Sequence, residues 1–270
     1  MTDELPLLSR PRSWDAFYSE PRIAEFRRRA YLEAFGNEYP LDEATDGYVT
    51  RTELSVLASA LVVGPGDQIV DLGCGRGGPG LWVARTTGAG LVGIDVSQPA
   101  LDRACASARQ LGFANTISYK LARFDATGLD TASIDGAISI DVIWAIPDKQ
   151  AGFSEVARIL KPGARFVFTD WERDLSPPGY PASINDYRQL LEAAGFELEF
   201  RQLNPEADAK RRVFYEKMLH YQAELLEVLE HKAAESTLRE AKGWLGQLDG
   251  VDYMNYSRRV LIAARKPAGA

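Results

Sequence analysis

Val70-Asp71-Leu72-Gly73-Cys74-Gly75-Arg76-Gly77-Gly78 reads as an apolar strand that runs into glycines and then into a helix. Glycines at such a junction let the backbone turn sharply and leave no Cβ between the chain and a ligand. Gly73, Gly75 and Gly78 satisfy G-x-G-x-x-G, the pattern of dinucleotide sites, which alone is a weak signal. Asp71 separates two readings. A pyrophosphate at the helix N-terminus is anionic, and an acid two residues before the first glycine opposes it. An acid there suits a ligand with a positive end. S-adenosylmethionine, with an ammonium and a sulfonium, fits that pattern better than NAD.

Downstream, short β-branched runs alternate with amphipathic helical segments. Strands are expected at 68–71, 91–95, 116–119, 136–140, 165–169, 197–200 and 259–263. Helices are expected at 77–87, 97–111, 149–160 and 184–194, with Pro162-Gly163 and Gly195 as stops. Strand–helix–strand alternation at this spacing means right-handed crossovers and a parallel sheet. Residues 1–60 read as helical, broken by Pro6, Pro11, Pro21 and Pro40. Residues 205–249 form a second helical block, in which Phe214, Met218, Tyr221, Leu225 and Leu229 make one apolar stripe. That stripe either packs on the sheet or forms the inner face of a lid.

Asp95 ends the second strand, 24 residues after Asp71. A carboxylate there either accepts from both ribose hydroxyls of a nucleoside or caps a helix. Asp125, in Phe124-Asp125-Ala126 after the third strand, either accepts from an adenine amino group or caps a helix.

The composition narrows the partners. With 270 residues, 46% hydrophobic and 26% charged, the chain has the make-up of a globular protein. A net charge of −7 does not suit a phosphate backbone, and Arg27-Arg28-Arg29 lies between Glu25 and Glu33 as a solvated helix face. No apolar stretch approaches the roughly 18 residues that span a bilayer. The N-terminus lacks the pattern of a signal peptide, so a cytoplasmic location is expected, without nucleic-acid or membrane partners. Cys74 and Cys105 make no disulfide framework, and no Cys/His spacing suggests a metal.

With these residues in hand, the chain resembles the class I S-adenosylmethionine-dependent methyltransferases. The resemblance rests on Val70-Asp71-Leu72-Gly73-Cys74-Gly75, Gly93-Ile94-Asp95-Val96-Ser97 and Leu160-Lys161-Pro162-Gly163-Ala164, and spans about residues 40–266. Within the class it looks most like the small-molecule enzymes of the phosphoethanolamine and sarcosine type. Gly47-Tyr48-Val49-Thr50 matches the stretch that holds the methionine end of their cofactor, and Tyr31 matches a tyrosine that closes over it. Asp141 to Lys149, Thr169-Asp170-Trp171 and Gly243-Trp244 match three further stretches. The resemblance implies a Rossmann-like α/β fold: a seven-stranded, mostly parallel sheet with an antiparallel last strand and helices on both faces. It divides the chain into an N-terminal helical cap (1–60), a cofactor-binding core (61–204), a helical lid (205–250) and the last strand with its tail (251–270). The expected cofactor-binding residues are Tyr31, Val49, Thr50, Asp71, Gly73, Gly75, Asp95, Val96, Asp125, Ala126 and Ile140.

One departure bears on the chemistry. The amine-methylating relatives carry a histidine after the fourth strand, where this chain has Ala145. His220 and His231 lie in the lid block, and His220 aligns with Lys217 and Glu224, opposite the apolar stripe, as an idle solvent-facing residue. A phenol or alcohol acceptor still needs a base near its proton. Asp141 is the first candidate, because the segment after strand four faces the methyl group in this class, although it equally serves to hold the loop. Tyr18, Tyr221, Asp148 and Glu172 are the others. Tyr18, Trp144, Trp171, Tyr221 and Trp244 suggest an apolar or aromatic small-molecule substrate. Methyl transfer to oxygen, nitrogen or carbon, plausible in specialised metabolism, is the first reading. A cofactor-bound but non-methylating reaction, such as a pericyclic cyclisation, is the second, and an NAD(P) oxidoreductase or nucleotide-binding module the third.

Overall fold

The computed structural model describes residues 11–19, 21–40, 45, 47–113, 116–178 and 183–269. Residues 1–10, with Pro6, lie outside them. Seven strands form one sheet: β1 (Gln68–Leu72), β2 (Gly90–Asp95), β3 (Ile117–Leu121), β4 (Ile134–Ile140), β5 (Leu160–Arg173), β6 (Glu197–Leu203) and β7 (Ser257–Arg265). Their order is β3-β2-β1-β4-β5-β7-β6. β7 slots between β5 and β6, antiparallel to both, and every other pair is parallel. This is the Rossmann-like sheet the sequence leads to.

The central strands are apolar on both sides because both faces are covered. Phe166, Phe168, Val260, Ile262 and Ala264 point into a core shared with Phe153, Val156 and Tyr187. Their neighbours Val167, Leu261 and Ala263 point into the opposite core, with Leu54, Leu57 and Leu81. The period of two along each strand therefore loads two cores at once.

The connecting helices are α4 (Gly78–Thr87), α5 (Gln98–Gln110), α6 (Lys149–Ile159) and α7 (Arg188–Ala193). Ser97 and Asp148 cap α5 and α6 with their side chains. α7 is shorter than expected: Asp186 accepts the N–H of Arg188 at 2.8 Å, a local turn in place of a first helical turn. β5 is longer than expected. Pro162-Gly163 lies inside it at a register shift, between the pairs Ile134–Leu160 and Gly136–Arg165.

Ahead of the sheet stand α1 (Pro11–Ser19), α2 (Pro21–Phe35) and α3 (Arg51–Leu61). Pro11 and Pro21 open helices rather than break them, as suits a residue without an N–H in the first turn. The segment expected as a single cap divides, since α3 packs on the sheet through Leu54, Leu57, Ala58 and Leu61. Before the last strand come α8 (Pro205–His220), α9 (Gln222–Val228) and α10 (His231–Trp244). The Phe214–Leu229 stripe settles neither on the sheet nor over a pocket. It makes a third core with Phe26, Ala30, Tyr31, Phe35 and Tyr39 of the N-terminal segment. Cap and lid thus fold on each other. No helix among the described residues is long and apolar enough to cross a membrane.

Candidate active site

A cavity of about 990 Å³ opens at the carboxyl edge of β1, β2, β4 and β5, under α1, α2, α8 and α10. Its floor is the glycine turn. Gly73 and Gly75 have φ of +77° and +52°, the left-handed region that costs a residue with a Cβ. A Cβ on Gly73 would lie 2.4 Å from Val142, and one on Gly75 would lie 2.7 Å from the Tyr18 hydroxyl. The N–H groups of Gly73 and Cys74 both donate to the Ile94 carbonyl, at 2.7 and 3.0 Å, which ties the turn to β2.

Three carboxylates stand around that turn. Asp71, at the end of β1, is 2% exposed, and burial beside the Asp95 charge pushes its carboxyl up to about 7. Asp95 accepts the N–H of Gly75 at 2.8 Å and of Ser97 at 2.9 Å. Burial pushes its carboxyl up as well, against those two hydrogen bonds. A carboxylate offers about four acceptor positions, so these bonds leave room for a ligand. Asp125 is held by Arg123, whose Nε donates to it at 2.7 Å, and this pairing lowers its carboxyl below the usual range.

Of the other residues expected around a cofactor, Tyr31, Val49, Val96 and Ile140 line the cavity. Tyr31 is stacked between Tyr39 and Phe214, at 5.1 and 4.3 Å between ring centroids. Thr50 and Ala126 do not line it. The Thr50 hydroxyl accepts the Glu53 N–H at 3.0 Å while the Glu53 carboxylate accepts the Thr50 N–H, a capping box that occupies it with starting α3. Ala126 is exposed and turns back to Arg123.

The candidate bases are placed very differently from one another. Tyr221 is outside the cavity: its hydroxyl donates to Glu33, the Arg29 guanidinium lies 4.4 Å over its ring, and its phenol is pushed up to about 12 by burial and that hydrogen bond. Asp148 caps α6, accepting the Ala151 N–H at 2.9 Å. Glu172 is buried and paired with Arg201. His220 is exposed. Tyr18 does line the cavity, over the glycine turn.

Asp141 also lines the cavity, but its carboxylate is engaged on both sides. It pairs with Arg259, accepts the Tyr48 N–H at 2.8 Å and accepts the Thr169 hydroxyl at 3.2 Å. Arg259, fully buried on β7, also pairs with Glu53 at 2.8 Å. One guanidinium therefore joins α3, β7 and the segment after β4. Asp141 has φ +60°, and such a conformation in a non-glycine residue persists only where its surroundings over-determine it. Asp170 pins the same segment from below by accepting the Trp144 N–H at 2.8 Å, and burial pushes its carboxyl up to about 6.

The far half of the cavity is aromatic and basic. Trp14, Trp144, Trp171, Tyr215, Trp244 and Tyr253 line it, with Arg27, Arg173, Arg211 and Arg239. Tyr48 donates to the Tyr215 hydroxyl at 2.9 Å, and Tyr215 donates to Glu240 at 3.0 Å. Sequence reasoning missed Arg211, Tyr215, Glu240 and Arg259. Arg211 sits in Lys210-Arg211-Arg212, which reads as a solvated face, and Arg259 in a strand end with no local partner.

Residues 70–168 match the family described as a methyltransferase domain. The chain is similar to 24-methylenesterol C-methyltransferase 2 of Oryza sativa subsp. japonica, 34% identical over 58% of this chain and 43% of that protein. It is 27% identical to O-methyltransferase resE of Aspergillus sclerotiorum, over 81% of this chain and 87% of that one. Several other curated relatives are likewise spanned for less than half their length. Among solved structures, the [4+2]-cyclase SpnF superposes with a TM-score of 0.67 at 24% identity, covering 80% of each chain, a likeness of fold.

Proposed function

We propose that this chain, which carries an S-adenosylmethionine-dependent methyltransferase domain, transfers a methyl group to a small-molecule acceptor held in the aromatic half of its cavity. The observation that carries this reading is the single cavity itself. Its acidic, glycine-floored half and its aromatic half are continuous, so a cofactor in one faces an acceptor in the other. The residues present fit the cofactor: the turn at Gly73 and Gly75 has room only for bare backbone, and Asp71 and Asp95 supply carboxylates toward positive and hydroxyl groups. When bound, S-adenosylmethionine supplies the electrophilic methyl group.

We assign Asp95 to the ribose, Asp71 to the positive end, and Asp125 with Val96 to the base of the nucleoside. Tyr31, Val49 and Tyr18 would close the cavity over them. Asp141 then serves as a positioning residue: with Arg259, Tyr48 and Thr169 on its oxygens, it fixes the backbone after β4. Rate acceleration would come chiefly from alignment, which contributes roughly 7–11 kcal/mol for oriented reactants, and from excluding water under cap and lid.

The acceptor atom, oxygen, nitrogen or carbon, is found by experiment. Labelled methyl from S-adenosylmethionine is followed into small-molecule extracts of the source organism, and the product is identified by mass. A labelled product supports methyl transfer and names the acceptor. A product of unchanged mass would favour the second reading, a cyclisation in which the cofactor is structural. One observation supports keeping that reading: no histidine lines the cavity among the described residues.

A further inference from the structure

Arg211 projects from α8 into the cavity wall and is 1% exposed. Its guanidinium carbon lies 4.0 Å from the Trp171 ring centroid and 4.1 Å from that of Trp244. Among the described residues its one hydrogen bond runs from Nη1 to the Ser257 hydroxyl at 3.3 Å, and Nε is buried without an acceptor. Asp208, one turn earlier on α8, feels the Arg211 charge but makes its hydrogen bond to the backbone N–H of Arg259, at 3.0 Å. Glu240, in the same half of the cavity, is taken by the Tyr215 hydroxyl at 3.0 Å and by Arg27 at 3.6 Å, and Asp249 by the Tyr253 hydroxyl at 2.8 Å.

Arg259 is the internal comparison. It is buried to the same degree, and the fold gives it two carboxylates, Glu53 and Asp141. A cation withdrawn from water is costly unless an anion and hydrogen bonds replace its hydration. Two tryptophan faces recover part of that cost for Arg211, but they satisfy no N–H. Arg173, 6% exposed, adds a second guanidinium at 5.1 Å from the Trp244 ring, within reach of the Asp170 charge.

We propose that Arg211 is the anchor for an oxyanion on the acceptor, so that the substrate is an aromatic or apolar molecule bearing a carboxylate or phosphate. This rests on the methyl-transfer reading for the identity of the cavity. Arg211 lines the cavity and spends one N–H on Ser257, and the further donors of a planar guanidinium match the oxygens of either group. Trp171, Trp244 and Tyr215 wall the body of the molecule.

The test is titration of the whole protein, saturated with S-adenosylhomocysteine, with benzoate, phenyl phosphate and neutral benzamide, read by tryptophan fluorescence and calorimetry. At least one of the two anions is expected to bind tenfold or more tighter than benzamide. Preference for benzoate marks a carboxylate acceptor and preference for phenyl phosphate a phosphate. Arg211→Gln should erase the discrimination, and Arg211→Lys, which keeps the charge without the fork, should lose most of it, both with unchanged S-adenosylhomocysteine affinity. Equal binding of benzamide and both anions overturns the proposal. So does discrimination that survives in Arg211→Gln, or no anion binding below roughly 10 mM, the weakest range such a contact would occupy. The wild-type comparison stands even where a variant fails to fold. Failure of the wild-type protein to bind S-adenosylhomocysteine refutes the methyl-transfer reading instead, so the two failures are told apart.

Discussion

Asp71→Asn separates what the glycine turn does for folding from what it does for binding. The Asp71 carboxyl is pushed up to about 7 from an ordinary 3.8, first by burial and then by the Asp95 charge. The folded value lies above the unfolded one, so the group's contribution to stability is full in acid and is lost as pH rises through about 7. At about 1.4 kcal/mol per pH unit between the two values, the carboxyl costs the empty fold about 4 kcal/mol at pH 8, where it is buried ionised, and about 2 kcal/mol at pH 5, where it takes up a proton on folding. Asparagine stays neutral and keeps an oxygen for the Gly80 N–H, so the cost disappears at both pH values. Urea unfolding without ligand should therefore show the variant more stable than wild type, by about 2 kcal/mol more at pH 8 than at pH 5. The same substitution should weaken S-adenosylmethionine at least tenfold by calorimetry, about the worth of one charge-assisted hydrogen bond. Wild-type affinity should also rise with pH between about 6 and 8, as the empty site gives up its proton to take a cation, and the variant should lose that dependence. A variant less stable than wild type at pH 8 would mean that the carboxylate serves the fold, and unchanged affinity would remove it from the cofactor site.

Three further outcomes are expected. Asp95→Ala should raise the dissociation constant for S-adenosylhomocysteine by about two to four orders of magnitude, from the loss of two charge-assisted hydrogen bonds at roughly 1.5–3 kcal/mol each; circular dichroism checks that the fold survives, and affinity within threefold of wild type would break the ribose assignment. Asp141→Asn should lower stability by about 3–5 kcal/mol, the cost of breaking a buried ion pair, while the shape of the pH–rate profile is unchanged; loss of its acidic limb would restore Asp141 as the base. Tyr221→Phe should leave kcat/KM unchanged and lower stability by about 0.5–1.5 kcal/mol, because its hydroxyl bonds Glu33 of α2 from the junction of α8 and α9, leaves Glu33 with Lys217, and touches no cavity; thermal unfolding beside steady-state rates checks both halves.

The parts of this protein legible in its sequence are those fixed by neighbours along the chain. The glycine turn, Asp71 and the end of β2 at Asp95 belong to one strand–turn–helix and its parallel partner, where a period of two and a run of glycines specify the geometry locally. The acceptor wall is specified by contacts far apart in sequence. Arg211 looks like its charged neighbours Lys210 and Arg212, and only the docking of α8 against Trp171 and Trp244 turns it inward. Asp141 looks like a free acid in a loop until Arg259, 118 residues later, reaches it from β7. The Phe214–Leu229 stripe shows the limit from the other side. Its helical period is plain in the sequence, yet what it covers is α2, and that follows from how cap and lid meet rather than from the stripe.

The same division governs how the cavity recognises two molecules at once. Asp71, Asp95 and Asp141 stand at the ends of β1, β2 and β4, and their positions are set by a sheet whose strands are buried on both faces. Arg27 and Arg211 stand on α2 and α8, helices held mainly by each other through the Tyr31–Phe214 stack. Arg259 ties the sheet to α3 and to the segment after β4, and among the described residues makes no ion pair with α1 or α2. The carboxylate half is thus set by the sheet, while the guanidinium half is set by where α2 and α8 dock, on each other and, through Asp208 and Arg211, on β7. Cap and lid residues can then change to suit another acceptor at little cost to the glycine turn.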